Sequence, residues 1–279
     1  PLSLHDTRPI YRYHAFMTDE IESVKNGKEI LAGNSPFSIN IDNLSFRYEG
    51  REQNALNNVN LRILPGEKVA ILGDNGSGKT TLIKLMLRMY AFNEGSISVC
   101  GKSIESLDIE QYRTQIATVF QDYGKYEFSV GENIALSHYD AETQHAKLEA
   151  LLNTVEFPYS QDTRLGKQFG GDELSIGQWQ RLAIARALYR KANLFIFDEF
   201  SSSLDPETEH RLFNEILSLS TTVIAVTHRL GNIKEFDRIV VMAGGKVIED
   251  GTFESLIKTQ GKFYAMWHAQ FKSVIAEAV

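Results

Sequence analysis

The sequence predicts an α/β fold with a mainly parallel core sheet. Three observations carry that prediction. Short apolar runs that read as strands alternate with stretches of helical period through residues 37–260. The run Leu194-Phe195-Ile196-Phe197 is apolar throughout, as a central strand is, and ends in Asp198-Glu199. A glycine-rich loop over 73–80 separates the apolar run 68–72 from a strong helical pattern over 81–89.

The elements follow in order. Residues 1–36 differ from the rest, with an apolar cluster at Ile10, Tyr11, Tyr13, Phe16 and Met17, a short helical stretch ended by Asn26-Gly27, and Gly33-Asn34-Ser35-Pro36 as a linker. The segment 37–48 reads as a strand with Ile39, Ile41, Leu44 and Phe46 on one face, and 56–64 as a second strand closed by Pro65-Gly66. Strands follow at 95–100 and 115–120. From 122 to 178 the pattern turns mainly helical, most clearly over 141–152, in what reads as a subdomain rather than an independent domain. A helix is predicted over 177–190. Asp205 and Pro206 suit the N-cap and first position of another over 206–217. A strand at 221–227 leads into His228, Gly244-Gly245 closes a hairpin, and 252–278 reads as helical.

Bulk composition narrows the function classes. The 279 residues carry a net charge of −7, which argues against a broad nucleic-acid surface. Cys100 is the one cysteine, so no internal disulfide can form, and a reducing compartment is expected. No apolar run approaches the roughly 20 residues of a membrane helix. The chain starts at Pro1 rather than Met, so it is expected to be a piece of something longer, from which a membrane portion could have been left out.

The chemistry concentrates in the loop Gly73-Asp74-Asn75-Gly76-Ser77-Gly78-Lys79-Thr80, which fits G-x-x-x-x-G-K-[ST] at every fixed position. Glycines let the backbone wrap a phosphate chain. Its N–H groups and the following helix N-terminus, where Thr81 sits, supply positive charge. Lys79 suits the β- and γ-phosphates, and the Thr80 hydroxyl suits Mg²⁺. Asp198 and Glu199 form a carboxylate pair at a strand tip, where ligands of open α/β sheets bind. One can hold Mg²⁺ while the other orients or deprotonates water. Gln121 and His228 also end strands, at positions that allow contact with Mg²⁺, water or phosphate. Tyr48 could stack on a purine, although an aromatic on a strand is by itself more often a core residue.

The stretch Leu174-Ser175-Ile176-Gly177-Gln178, followed by Gln180-Arg181 and Ala183-Ile184-Ala185-Arg186-Ala187-Leu188, resembles the signature of the ATP-binding cassette (ABC) family. It matches four of the five positions of L-S-G-G-Q. The resemblance covers about residues 37–260 in the family's order, and Thr227-His228-Arg229-Leu230 and Asp237-Arg238-Ile239-Val240-Val241-Met242 are similar to its exporter branch.

The resemblance implies a RecA-like core with a mainly parallel sheet, an N-terminal antiparallel β subdomain and a helical signature subdomain at about 122–178. It implies a linker from a membrane domain over 1–36 and a nucleotide-binding domain over 37–279. By that likeness Tyr48 stacks on adenine, residues 73–81 bind the phosphates, and Gln121 is the Q-loop glutamine. Asp198 and Thr80 attend Mg²⁺, Glu199 is the catalytic glutamate, Asp205 lies in the D-loop, and His228 is the H-loop histidine. Ser175, Ile176, Gly177 and Gln178 face an ATP bound by a second copy of the domain. The implied function is Mg²⁺-dependent ATP hydrolysis powering export, with the domain at the cytoplasmic face of a membrane, partnered by a second nucleotide-binding domain and a transmembrane domain. Lys125-Tyr126 and Gly177-Gln178-Trp179-Gln180 lean toward bacterial peptide exporters. The aromatic loop 122–128 is the expected contact with the membrane domain.

Two departures stand out. Phe200-Ser201-Ser202-Ser203 replaces the usual Pro-Thr-Ser-Ala, and Ile176 replaces a glycine. If position 176 needs positive φ, isoleucine is penalised there. If it does not, Ile176 is expected to point away and pack on the helical subdomain or the membrane partner. Two further readings share these motifs: a soluble ABC ATPase acting on ribosomes or DNA, and a regulatory ATP-binding half of a heterodimer.

Overall fold

The computed structural model of the chain describes residues 26–31, 33, 35–92, 94–136, 145–200 and 204–276, and for residues 169 and 272–276 the backbone alone. The cluster and helix expected within 1–25, the first residues of the helix expected over 141–152, and Ser201–Ser203 lie outside the described residues.

Two sheets organise the molecule. The larger contains β3 (Lys68–Leu72), β6 (Ile116–Val119), β7 (Leu194–Asp198), β8 (Thr222–Val226), β9 (Arg238–Ala243) and β10 (Lys246–Gly251), in the order β10-β9-β3-β8-β7-β6. Every pairing in it is parallel except β10 with β9, the hairpin turned by Gly244-Gly245. The smaller is antiparallel, with β1 (Ile39–Phe46), β2 (Leu56–Ile63), β4 (Glu94–Val99) and β5 (Lys102–Ser103) in the order β2-β1-β4-β5. This is the RecA-like core and the antiparallel β subdomain that the resemblance implied.

The central strands are buried on both faces, and alternate residues enter different cores. Ala70, Leu72, Phe195, Phe197, Val223 and Ala225 face the helical side. Val69, Ile71, Leu194, Ile196, Ile224 and Val226 face the β subdomain. The expected face of β1 holds: Ile39, Ile41, Leu44 and Phe46 are all buried. Its step from 41 to 44 breaks the period of two because Asn43 takes φ 50° at an irregularity in the pairing with β2.

The helices are α1 (Lys79–Met86), α2 (Ile109–Thr114), α3 (Val130–Ala135), α4 (His145–Thr154), α5 (Ile176–Tyr189), α6 (Pro206–Ser218), α7 (Phe253–Thr259) and α8 (Lys262–Ala276). Asp205 caps α6, accepting from Thr208 N at 2.9 Å, and Pro206 is its first residue. The C-terminal helical stretch divides in two because Gln260 takes φ 53° ahead of Gly261. The helix expected from 177 starts one residue earlier, at Ile176.

The helical subdomain shares one core with the sheet. Val130 and Ile134 of α3, Leu148 and Leu152 of α4, and Trp179 and Leu182 of α5 belong to the same buried cluster as Leu72 and Phe197. Arg186 of α5 fastens it by donating to the carbonyl of Asn133 at 2.9 Å, the Asn133 side chain at 3.0 Å and the Gly124 carbonyl at 3.2 Å.

Candidate functional site

The site forms where parallel strands end together. Ile71 of β3 pairs with Val226 of β8, and Val226 pairs with Asp198 of β7. Three strand ends are therefore level, and β6 completes the row through Val119 opposite Phe197. The glycine loop follows β3, His228 follows β8, Asp198-Glu199 closes β7, and Gln121 follows β6. Residues far apart in sequence meet because parallel pairing places the C-terminal ends of these strands along the same edge.

The loop is built around its lysine. Lys79 Nζ donates to the carbonyls of Gly73 at 2.8 Å and Asp74 at 3.0 Å. Burial pushes its ammonium below the usual lysine range, against the opposing pull of Glu199, Asp198 and Asp74. Gly73 and Gly78 are required by space as well as by φ. At φ 149° a Cβ on Gly73 would stand 2.2 Å from the Met242 carbonyl, and at φ 107° one on Gly78 would stand 2.7 Å from Leu56 Cδ2. The loop therefore packs directly on β9 and on the start of β2. Ser77 is buried, while Asp74, Asn75, Gly76 and Thr80 are exposed.

Beside it, Thr80 Oγ1 donates to Asp198 Oδ2 at 3.0 Å. Asp198 Oδ1 is buried without a hydrogen-bond partner. Burial raises the carboxyl above the usual range, although the Thr80 bond opposes this. A buried, under-coordinated carboxylate oxygen beside a threonine hydroxyl is a hard-oxygen donor set and fits Mg²⁺. Among the described residues no group of three or more His, Cys, Asp or Glu is placed to hold a metal by itself.

Glu199 takes φ 52°, a left-handed conformation uncommon for its type, with its N–H bonded to the Val226 carbonyl at 2.9 Å. Its Oε1 meets His228 Nε2 at 2.5 Å. Gln121 is exposed, two residues beyond β6. Tyr48 sits at the edge of an aromatic cluster, edge-on to Phe46 at 4.9 Å and to Tyr90 at 5.2 Å, with its hydroxyl 3.2 Å from Thr81 Oγ1. Its ring therefore stands next to the glycine loop.

The signature residues form the N-terminus of α5. Ser175 Oγ accepts from Gln178 N at 3.2 Å, and Gln178 Oε1 accepts from Ser175 N at 2.8 Å, a reciprocal capping box. The Ser175 hydroxyl hydrogen remains available to a ligand. Ile176 is the first helical residue and is 63% exposed. Neither Ile176 nor Gly177 takes positive φ. The strained backbone considered for Ile176 is absent, because the capping box winds the chain into a helix from this residue. The packed alternative does not hold within the chain either, since the side chain stands in solvent.

A family model described as ABC transporter matches residues 56–202, more than half of the chain. The chain belongs to the ABC transporter family. It is a nucleotide-binding domain of the exporter type. It is 39% identical over 266 residues to the subtilin transport ATP-binding protein SpaT of Bacillus subtilis, covering 90% of this chain and 43% of that protein. It is 36% identical over 284 residues to the cyclolysin secretion/processing ATP-binding protein CyaB of Bordetella pertussis, covering 94% and 40%. A bacterial Atm1-family ABC exporter solved with ATP bound superposes with a TM-score of 0.81 at 29% identity, covering 94% of this chain and 47% of that one. The ABC domain thus spans less than half the length of these relatives. Among the described residues, no helix is long and apolar enough to cross a membrane.

Three features of this ABC domain's site were not identified from sequence. Tyr123 donates to the Ile176 carbonyl at 2.9 Å, linking the stretch after Gln121 to the signature helix. Phe46 and Tyr90 frame Tyr48. Lys262 Nζ lies 2.8 Å from Asp74 Oδ2. Tyr123 was legible only as one of several loop aromatics, and nothing local marks Lys262, 188 residues from its partner.

Proposed function

We propose that this ABC domain binds MgATP at the strand-end site and hydrolyses it to power export by a membrane domain. The observation that carries the reading is the level convergence of the glycine loop, Asp198, Glu199 and His228 at adjoining strand ends.

In this reading residues 73–81 cradle the phosphates, Lys79 turns from the loop carbonyls to the β- and γ-phosphates, and Tyr48 stacks on the adenine. Thr80 and Asp198 would hold Mg²⁺, with Gln121 approaching it. The ion would supply neutralising charge for the phosphate oxygens. Glu199 orients the attacking water and accepts its proton, and His228 fixes the Glu199 carboxylate. Ser175, Ile176, Gly177 and Gln178 face the nucleotide of a second copy or a related domain, and Asp205 sets the start of α6 beside that junction. Residues 1–36 lead from the membrane domain, 37–279 form the nucleotide-binding domain at the cytoplasmic face, and 122–128 meets the membrane partner. Tyr126 and Phe128 of that loop are exposed and stacked at 6.2 Å. Polypeptide cargo is the proposed substrate class, supported by the likeness to proteins named for subtilin transport and cyclolysin secretion.

The test is phosphate release from ATP with Mg²⁺ and with a chelator present. Turnover that needs Mg²⁺ and disappears in Lys79→Ala is expected. Turnover unchanged in Lys79→Ala would refute the assignment of the loop. For the cargo, stimulation of the membrane-reconstituted transporter by candidate peptides but not by lipids is expected, and the reverse would overturn the substrate class.

A further inference from the structure

The start of α8 is fixed tightly. Glu249 of β10 accepts from the N–H of Lys262 through Oε1 and from that of Phe263 through Oε2, the latter at 2.8 Å. Phe263 is fully buried, edge-on to Phe253 at 5.7 Å. The helix then runs past the phosphate loop. With Gly73, Asp74, Asn75 and His228, its residues Met266 and Gln270 line an open cleft of about 600 Å³. Gln270 Oε1 accepts from Leu230 N at 3.2 Å, two residues beyond His228. One helix is thus fastened both to the loop after β3 and to the segment after β8.

The fixed start delivers Lys262 to the second residue of the glycine loop. Asp74 faces two ammonium groups: its carbonyl accepts from Lys79 at 3.0 Å, and its carboxylate meets Lys262 at 2.8 Å. The Asp74 carboxyl lies below the usual range chiefly because of Lys262, with a smaller pull from Lys79. A carboxylate in a loop that receives a polyphosphate repels the ligand and competes with it for Lys79. Lys262 offsets both effects.

We propose that Lys262 is a positioning residue of the phosphate loop, holding the Asp74 carboxylate away from Lys79 and cancelling its charge, so that nucleotide affinity depends on the C-terminal helix. The inference rests on the reading of the loop as the ATP site and extends it to α8.

The test is calorimetric binding of a non-hydrolysable ATP analogue with Mg²⁺ to wild type, Lys262→Gln, Lys262→Arg, Asp74→Asn and the double variant Lys262→Gln/Asp74→Asn. At low salt Lys262→Gln is expected to weaken binding about three- to fivefold, the scale of a partly exposed ion pair. The loss should shrink at high salt. Lys262→Arg should bind as wild type does, and the double variant should recover most of the affinity that Lys262→Gln loses. A merely structural role for Lys262 would leave the double variant as weak as Lys262→Gln, and that result overturns the inference, as does wild-type affinity in Lys262→Gln at low salt. Lys79→Ala serves as the control on the loop itself. A wild-type protein that binds no nucleotide, or a Lys79→Ala variant that binds it normally, refutes the ATP site and the inference with it.

Discussion

His228 Nε2 stands 2.5 Å from Glu199 Oε1 across the ends of two adjacent parallel strands, β8 and β7. The contact needs both the register of those strands and the left-handed turn at Glu199. It holds the carboxylate at the strand tip beside Asp198.

From that contact comes the first prediction. Glu199→Gln keeps the side chain's shape and removes its basicity, so phosphate release should fall by about 10²- to 10⁴-fold. Analogue affinity should be retained, and a longer-lived ATP-bound dimer should appear on size-exclusion. His228→Ala should also lower kcat by freeing the carboxylate. Near-normal turnover in Glu199→Gln would remove Glu199 from its role.

Tyr48 lies beside Thr81 and against Phe46 and Tyr90. Tyr48→Ala should weaken ATP binding by roughly 1–3 kcal/mol, the scale of base–aromatic stacking. Tyr48→Trp should be tolerated. Calorimetry that finds unchanged affinity in the alanine variant would show that the ring serves packing alone.

Asp198 gives a pH prediction with a definite sign. Burial raises its carboxyl above the unfolded value, so ionisation costs the ligand-free fold stability as pH rises from the ordinary aspartate range up to the raised pKa. Asp198→Asn removes that cost. The variant's melting temperature, relative to wild type, should rise with pH from about pH 4, the ordinary aspartate value, and level off once pH passes the raised pKa, while Mg²⁺-dependent nucleotide binding is lost. A difference in melting temperature that is flat with pH would show that the carboxyl is not destabilised by burial.

Ile176 begins α5 with helical backbone and an exposed side chain. Relief of backbone strain is therefore no reason for Ile176→Gly to be more active. Its monomer stability should change by less than about 1 kcal/mol. In the proposed dimer the isoleucine would be covered, so its loss should weaken ATP-dependent dimerisation by roughly 1 kcal/mol. Sedimentation of the Glu199→Gln form with and without Ile176→Gly measures this, and a stronger dimer in the glycine variant would overturn it.

Much of the molecule was legible in the chain itself. The loop 73–80 declares its backbone, because glycines at 73 and 78 leave room that no other residue could. Leu194-Phe195-Ile196-Phe197, short, rich in β-formers and ended by Asp198-Glu199, declares a strand covered on both faces, and all four residues are buried. Asp205-Pro206 declares a helix start by local hydrogen bonding and a fixed φ. These are short-range effects, and residue type alone determines them. Tertiary structure decided the rest. Register between β3, β8 and β7 brings the Glu199 carboxylate to His228. The capping box at Ser175 and Gln178 that makes Ile176 helical is, by contrast, a local contact three residues apart, and the chain itself carries its S-x-x-Q pattern. The division of the last helical stretch at Gln260 and the clamp of Glu249 on α8 carry Lys262 to Asp74 across 188 residues. Such contacts depend on the relative placement of whole elements, which the two buried cores set and no local pattern encodes.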